Sequence, residues 1–298
     1  MQWHPLFAEL LRGIVDAYYE VQTNVPVGDI PREADIVLLR RKPQALAPPF
    51  RNLWSGLTTW NVLEFKSPTV SPLARDIDLL VELGLGIDRR LNQERTKQKL
   101  SPLEPQETSL WFLANRLGRR FLRQSQERLG ILEKCGEGIW RGRVLLRKVY
   151  LVSNSDLPVN EESVPLHLVS RESHGKALSV AKLVLGDPAL RRMYEDWVYV
   201  LHESAWKEVR IMSRVVEDEV PINFKKIVDL IGVDRLISQV GLKRVIEEVG
   251  LGSVIAEVGL DRVIAEVGLD RVIAEVGVDR LIASLTPAQR RELKRRLR

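Results

Sequence analysis

The chain has 298 residues, 45% hydrophobic and 29% charged, a balance that sets aside a disordered or membrane-embedded polypeptide and leaves a globular one with a sizeable core. A formal net charge of +5 permits a polyanionic partner without requiring one. The single cysteine, Cys135, forms no internal disulfide and is expected in the core of a protein kept reduced. With no basic N-terminal region followed by an apolar run, and no stretch of roughly 18 apolar residues, the expected location is cytoplasmic, away from any membrane.

From the N-terminus, Pro5 to Ala17 reads as an amphipathic helix with Leu6, Leu10, Ile14 and Ala17 along one side and Glu9 beside them. Three extended segments follow: Tyr18 to Val25, Ala34 to Leu39, and Asn61 to Phe65 running on into Lys66. Asp35 is the one acid in the otherwise apolar second segment, and buried strands seldom carry such a charge without a reason. In the third, a period of two puts Glu64 and Lys66 on one face and Leu63 and Phe65 on the other.

Those types and spacings suit phosphodiester hydrolysis. Two carboxylates from neighbouring strands can hold Mg²⁺, a hard cation that prefers oxygen ligands. The metal polarises a phosphate and lowers the pKa of a bound water. A lysine two residues beyond one acid lands on the same side, where its ammonium orients that water or offsets phosphoryl charge. The plainer alternative is a pair of amphipathic strands whose Glu64 and Lys66 form a surface ion pair of little value.

Further along, residues 73–99 read as a helix with Leu79, Leu80, Leu83 and Ile87 at core spacing. Ser109 to Ala114 and Arg143 to Ser153 read as strands, and 174–215 as helical. Arg116, Arg119, Arg120 and Arg123, close in sequence to Trp111, Phe112 and Phe121, suit either a phosphate backbone or a solvated helix face. His4, His167, His174 and His202 lack metal-ligand spacing, and no phosphate-binding Gly-Lys-Ser/Thr loop is present.

From Gly232 onward the sequence repeats every nine residues, with glycines at 232, 241, 250, 259, 268 and 277, and residues 259–267 and 268–276 are identical. A weaker copy begins near residue 222. Within one unit Leu260, Val263, Ile264 and Val267 share a helix face, while Gly259 suits a left-handed C′ position and Asp261 an N-cap. Short helices stacked as a small solenoid are expected. Thr286, Pro287 and Gln289 then open a terminal capping helix carrying Arg290, Arg291, Lys294, Arg295, Arg296 and Arg298. An α/β domain is thus expected over 1–170, a helical connector over 171–221, and the repeat array over 222–298.

Glu9 on the first helix, Asp35 heading the second strand and Glu64-Phe65-Lys66 in the third resemble the αβββ core of the PD-(D/E)XK nuclease superfamily, over roughly residues 5–70. The added helices and glycine-punctuated tail resemble, more narrowly, the Rpn-like recombination-promoting nucleases. The resemblance implies a restriction-endonuclease-like α/β fold with a mixed sheet and a Mg²⁺-dependent DNA endonuclease, with Mn²⁺ as a substitute, acting in recombination or mobile-element biology. It assigns Asp35 and Glu64 as metal ligands with the Phe65 carbonyl as a third, Lys66 as water-activating base or electrostatic group, and Glu9 as an accessory acid. Asp16 or Glu20 could take that last part. Ala34 stands where the motif's proline would be. The competing expectation is a catalytically inactive nuclease-fold protein that binds a protein partner, or a second copy of itself, through residues 222–298.

Overall fold

The computed structural model describes residues 3–26 and 33–212. The expected repeat array and basic terminal helix lie outside the described residues.

A helix followed by three strands opens the chain, in the order expected: α1 (Trp3–Val15), β1 (Tyr19–Pro26), β2 (Glu33–Arg41) and β3 (Trp60–Phe65). Then come α2 (Ala74–Lys97), β4 (Thr108–Ala114), α3 (Arg119–Leu129), β5 (Glu133–Gly136), β6 (Ile139–Val144), β7 (Arg147–Ser153) and four helices, α4 (Val164–Leu168), α5 (His174–Gly186), α6 (Pro188–Leu201) and α7 (Glu203–Met212). The strands form one mixed sheet in the order β1-β2-β3-β4-β7-β6-β5. Its three central strands, β3, β4 and β7, run parallel, and antiparallel pairs flank them on both sides. Parallel strands need covering on both faces, and β4, buried at every position, reads accordingly as an unbroken apolar run from Leu110 to Ala114.

Strand alternation decides which helix covers which face. Ile36, Leu38, Val62, Leu110, Phe112, Val149 and Leu151 form one core with Ile77, Leu80 and Ile87 of α2 and Phe121 and Leu129 of α3. On the opposite face Phe65 stacks on Phe7 of α1 with ring centres 5.1 Å apart, and Trp111 stacks on Tyr150 at 4.1 Å. The buried Tyr194 hydroxyl of α6 donates to the Leu10 carbonyl of α1 at 2.9 Å. As far as residue 212, the helices of the expected connector therefore belong to the same compact unit as the sheet. Their starts are fixed locally: the Ser173 hydroxyl accepts from the Lys176 amide, and the Asp187 carboxylate accepts from the Ala189 and Leu190 amides.

Several expectations need correction. The stretch from Arg143 to Ser153 is not one strand but the end of β6, a two-residue turn at Leu145 and Leu146, and β7, with Val144 paired to Arg147. Both leucines have positive φ, 46° and 69°, the conformation that glycine or asparagine normally announces in such a hairpin. On α2, Leu79 is exposed, and Ile77 and Gly84 take the inward positions. Ala17 falls in the turn after α1 and is exposed. Cys135 is exposed because it sits on β5, a short strand at the edge of the sheet with little packed over it.

Candidate active site

The parallel strands β3, β4 and β7 end on one side of the sheet, the side where open α/β sheets generally bind ligands. Glu64 lies near the end of β3, opposite Phe112 of β4, and is only 6% exposed. By alternation it shares the α2 side of the sheet with Val62. Lys66 follows directly, and its amide donates to the Leu113 carbonyl at 2.8 Å, which extends the β3–β4 pairing by one residue. The shared face expected from the period of two is thus realised. The Lys66 Nζ lies 2.9 Å from Glu64 Oε1, with the two side chains 18% and 8% exposed. This is not the surface ion pair of the plainer alternative.

A residue not singled out in the sequence completes the arrangement. Asp76, in the first turn of α2, has an oxygen 3.5 Å from the same Lys66 Nζ, while its other oxygen accepts from the Leu73 amide at 2.8 Å. Leu73 has no side-chain acceptor, so this is the returning half of a capping box alone. A cue was available: an acid three residues after a break at Pro72-Leu73, opening a helix right after the strand that carries Glu64. For Lys66, burial pushes the ammonium pKa down, but the Glu64 and Asp76 carboxylates outweigh it and leave the group above its ordinary value. Lys66 is therefore a cation at neutral pH.

Asp35 lies in β2, antiparallel to β3; its side chain lies outside what the structure describes. The backbone around it is informative. Thr23 pairs with Val37 and Val25 with Ala34, so Asn24 alone faces the two residues Asp35 and Ile36. Two residues against one is a β-bulge, a device found preferentially at sheet edges and next to active sites. Leu63 pairs with Val37 and so shares its face. Strict alternation from Val37 would place position 35 on that face, away from Glu64. The bulge falls within that step and breaks the alternation.

The other expected residues stand apart from this cluster. Phe65 is in the core, stacked on Phe7. Glu9 belongs to α1, on the Phe65 side of the sheet, and accepts from Arg12 at 3.0 Å. Asp16 pairs with Lys42 at 3.6 Å and Glu20 with Arg40 at 3.8 Å. His167 is buried with Nδ1 2.8 Å from Glu172, His174 lies 2.8 Å from Glu208, and His202 faces the His167 carbonyl. Trp111, Phe112 and Phe121, near the arginines in sequence, are core residues and unavailable for base stacking.

Whether these residues suit a divalent cation can be judged from their donor atoms. Two carboxylates, from β3 and α2, already share one ammonium, so the spot accepts positive charge through the hard oxygen donors that Mg²⁺ prefers. Among the described residues no group of three His, Cys, Asp or Glu side chains is placed to hold a metal. By contrast, the buried Asp88 further along α2 is occupied structurally, accepting from Thr108 at 2.8 Å and from Arg147 at 2.6 Å. No helix among the described residues is long and apolar enough to cross a membrane. Comparison with models of known families, with curated proteins and with solved structures gives no match.

Proposed function

We propose that the chain is a Mg²⁺-dependent DNA endonuclease of the PD-(D/E)XK kind, with its site at the end of β3. The observation that carries this reading is the Glu64–Lys66 pair, mostly buried, on one face at the carboxyl end of a central parallel strand, beside a neighbouring strand whose bulge falls at Asp35. Core packing alone does not favour an acid and a lysine there.

In this reading Asp35 and Glu64, with the Phe65 carbonyl, hold the cation. Bound there, it would supply Lewis-acid polarisation of the scissile phosphate and an acidified water. Lys66 acts as a fixed positive charge that steadies the phosphoryl oxygens, the role its protonated state suits, rather than as a base. Asp76 positions Lys66 by pairing with it from the first turn of α2. Recombination or mobile-element processing is the setting that the resemblance suggests.

One observation favours a second reading, a non-catalytic interaction protein. The Glu64–Lys66–Asp76 chain also fastens β3 to the start of α2, which by itself is a structural reason for all three residues. Incubating the purified protein with supercoiled, linear and single-stranded DNA in Mg²⁺, Mn²⁺ or EDTA separates the two. The expected result is cleavage with either metal, none in EDTA, and a loss of orders of magnitude in Asp35→Asn. Equal cleavage by wild type and Asp35→Asn would overturn the nuclease assignment.

A further inference from the structure

α3 starts where β4 ends, on the side of the sheet that carries Glu64 and Lys66. Its inward face is Phe121, Ser125 and Leu129, all buried. Arg119, Arg120 and Arg123, related by three- and four-residue steps, lie together on the outward side, and Arg116 stands in the segment leading into the helix. All four arginines are exposed, and among the described residues none has an acidic partner. That sets them apart from Arg128 on the same helix, which is held by Asp78, and from Arg90, Arg147 and Arg191, held by Glu94, Asp88 and Glu195. Between residues 115 and 130 the only acid is Glu127.

This clustering works against the stability of the helix. Neighbouring arginines repel one another, and those in the first turn face the positive end of the helix dipole, each unfavourable by about 0.3–1 kcal/mol. α3 has no acid in its first turn, and Gly118 before it contributes no side-chain cap. An external polyanion would relieve that repulsion. The position fits as well: Leu113 accepts the Lys66 amide, and Arg116 is three residues beyond Leu113, so their Cα atoms are at most about 10–11 Å apart.

We propose that Arg116, Arg119, Arg120 and Arg123 form the surface that grips the phosphodiester backbone of DNA and lays a strand across the end of β3. This deepens the nuclease reading and rests on it for the location of the reacting phosphate. With Trp111, Phe112 and Phe121, the aromatic residues nearest in sequence, all buried, the grip is electrostatic and sequence-independent, made to phosphates rather than bases.

The test is fluorescence anisotropy of a labelled DNA duplex with the full-length protein in EDTA, across a KCl series. The stripe variant carries Arg116→Gln, Arg119→Gln, Arg120→Gln and Arg123→Gln. A control with the same change in net charge carries Arg89→Gln, Lys97→Gln, Lys182→Gln and Arg192→Gln, all exposed and outside α3. The expected result is that the stripe variant, with unchanged circular dichroism, binds roughly tenfold or more weakly and loses about 2–4 from the slope of log affinity against log salt. The control should keep the wild-type slope. The proposal is overturned if the stripe variant binds like wild type, if the control loses as much, if wild type does not bind DNA, or if the stripe is needed only for anionic phospholipid vesicles. Stripe-dependent binding without Mg²⁺-dependent cleavage would sink the nuclease reading and leave the grip standing. Cleavage by the stripe variant with wild-type kcat and KM would do the reverse.

Discussion

Glu64 and Lys66, two positions apart in sequence, place carboxylate oxygen and ammonium nitrogen 2.9 Å apart in a setting where neither side chain is more than 18% exposed. Truncating one member of such a pair takes a close opposite charge from the other. Lys66→Met is expected to lower stability by about 3 kcal/mol, because the buried Glu64 then loses the ammonium 2.9 Å from its carboxylate. Glu64→Gln should be milder, about 1–2 kcal/mol, since Lys66 keeps Asp76 and a neutral acceptor remains at position 64. Both should abolish cleavage, which makes Glu64→Gln the cleaner test of activity. Urea melts beside the nuclease assay measure the two effects, and full cleavage in a folded Glu64→Gln would remove this acid from the site.

Asp76 separates capping from chemistry. Its carboxylate accepts the Leu73 amide at the start of α2 and also faces Lys66. Asp76→Asn retains an oxygen for the amide and should cost less than about 1 kcal/mol, whereas Asp76→Ala loses the cap and should cost about 1–2 kcal/mol. Cleavage should fall no more than about tenfold in either, as expected of a residue acting through Lys66. A loss of several orders of magnitude in Asp76→Asn would make it a third acid of the site.

His202 gives the fold a pH dependence of definite sign. Burial disfavours its charged form, and although the bond to the His167 carbonyl and the nearby Glu172 push the other way, its pKa stays below the ordinary 6.5. On acidification the unfolded chain binds this proton first, so the contribution is fully present above about pH 6.5 and is lost as pH falls below it toward the folded value. Thermal melts from about pH 8 to about pH 5 should therefore fall more steeply for wild type than for His202→Gln. Because His167 and Glu172 stay in both proteins, the difference between the curves isolates His202. Parallel curves would show that His202 charges as readily in the folded protein as in the unfolded one.

Hairpin β6–β7 can be improved on its own terms. Leu145 and Leu146 hold left-handed backbone at φ 46° and 69° while 63% and 72% exposed, so they take the strain without the return of burial. Left-handed backbone disfavours an ordinary side chain by roughly 1–2 kcal/mol per residue, and glycine gives part of that back as unfolded-state entropy. Leu145→Asn with Leu146→Gly should raise stability by about 1–2 kcal/mol, read from the urea midpoint at constant slope. A lower midpoint would mean that the leucines make contacts worth more than the strain.

How much of this was legible in the sequence varied with the kind of signal. Periodicity sufficed for α1, β1 to β3, α2 and β4, because each buries one face or both and the pattern records it. It also sufficed to put Glu64 and Lys66 together, since a strand's period of two admits no other outcome. It failed at Leu145-Leu146, where the turn residues carry none of the usual chemistry and the alternation runs on across the bend. Asp76 was hidden for another reason: its partner, Lys66, is ten residues away across a strand-to-helix connection, and no helical or strand period links them. The bulge at Asp35 was equally silent, being a property of the pairing with β1 rather than of the segment itself.

Gly84 tests how closely α2 is pressed onto the sheet. Glycine within a helix is ordinarily a liability, and replacing it with alanine gains about 1 kcal/mol where there is room. Here there is none: a Cβ at position 84 would lie 2.5 Å from Leu110 Cδ2 and 3.2 Å from Cδ1. Leu110 is fully buried in the centre of β4, so it cannot swing away, and α2 would have to lift from the sheet. Overpacking of this kind costs about 1–3 kcal/mol, which should outweigh the propensity gain and leave Gly84→Ala less stable than wild type by up to about 2 kcal/mol. Since α2 also carries Asp76, lifting the helix should loosen the hold on Lys66, and cleavage should fall with stability. Leu110→Ala in the same background creates the missing space, so the double mutant should recover part of the loss attributable to Gly84→Ala. A stabilised Gly84→Ala single mutant would show that α2 and β4 have slack between them, and this account of the packing would fail.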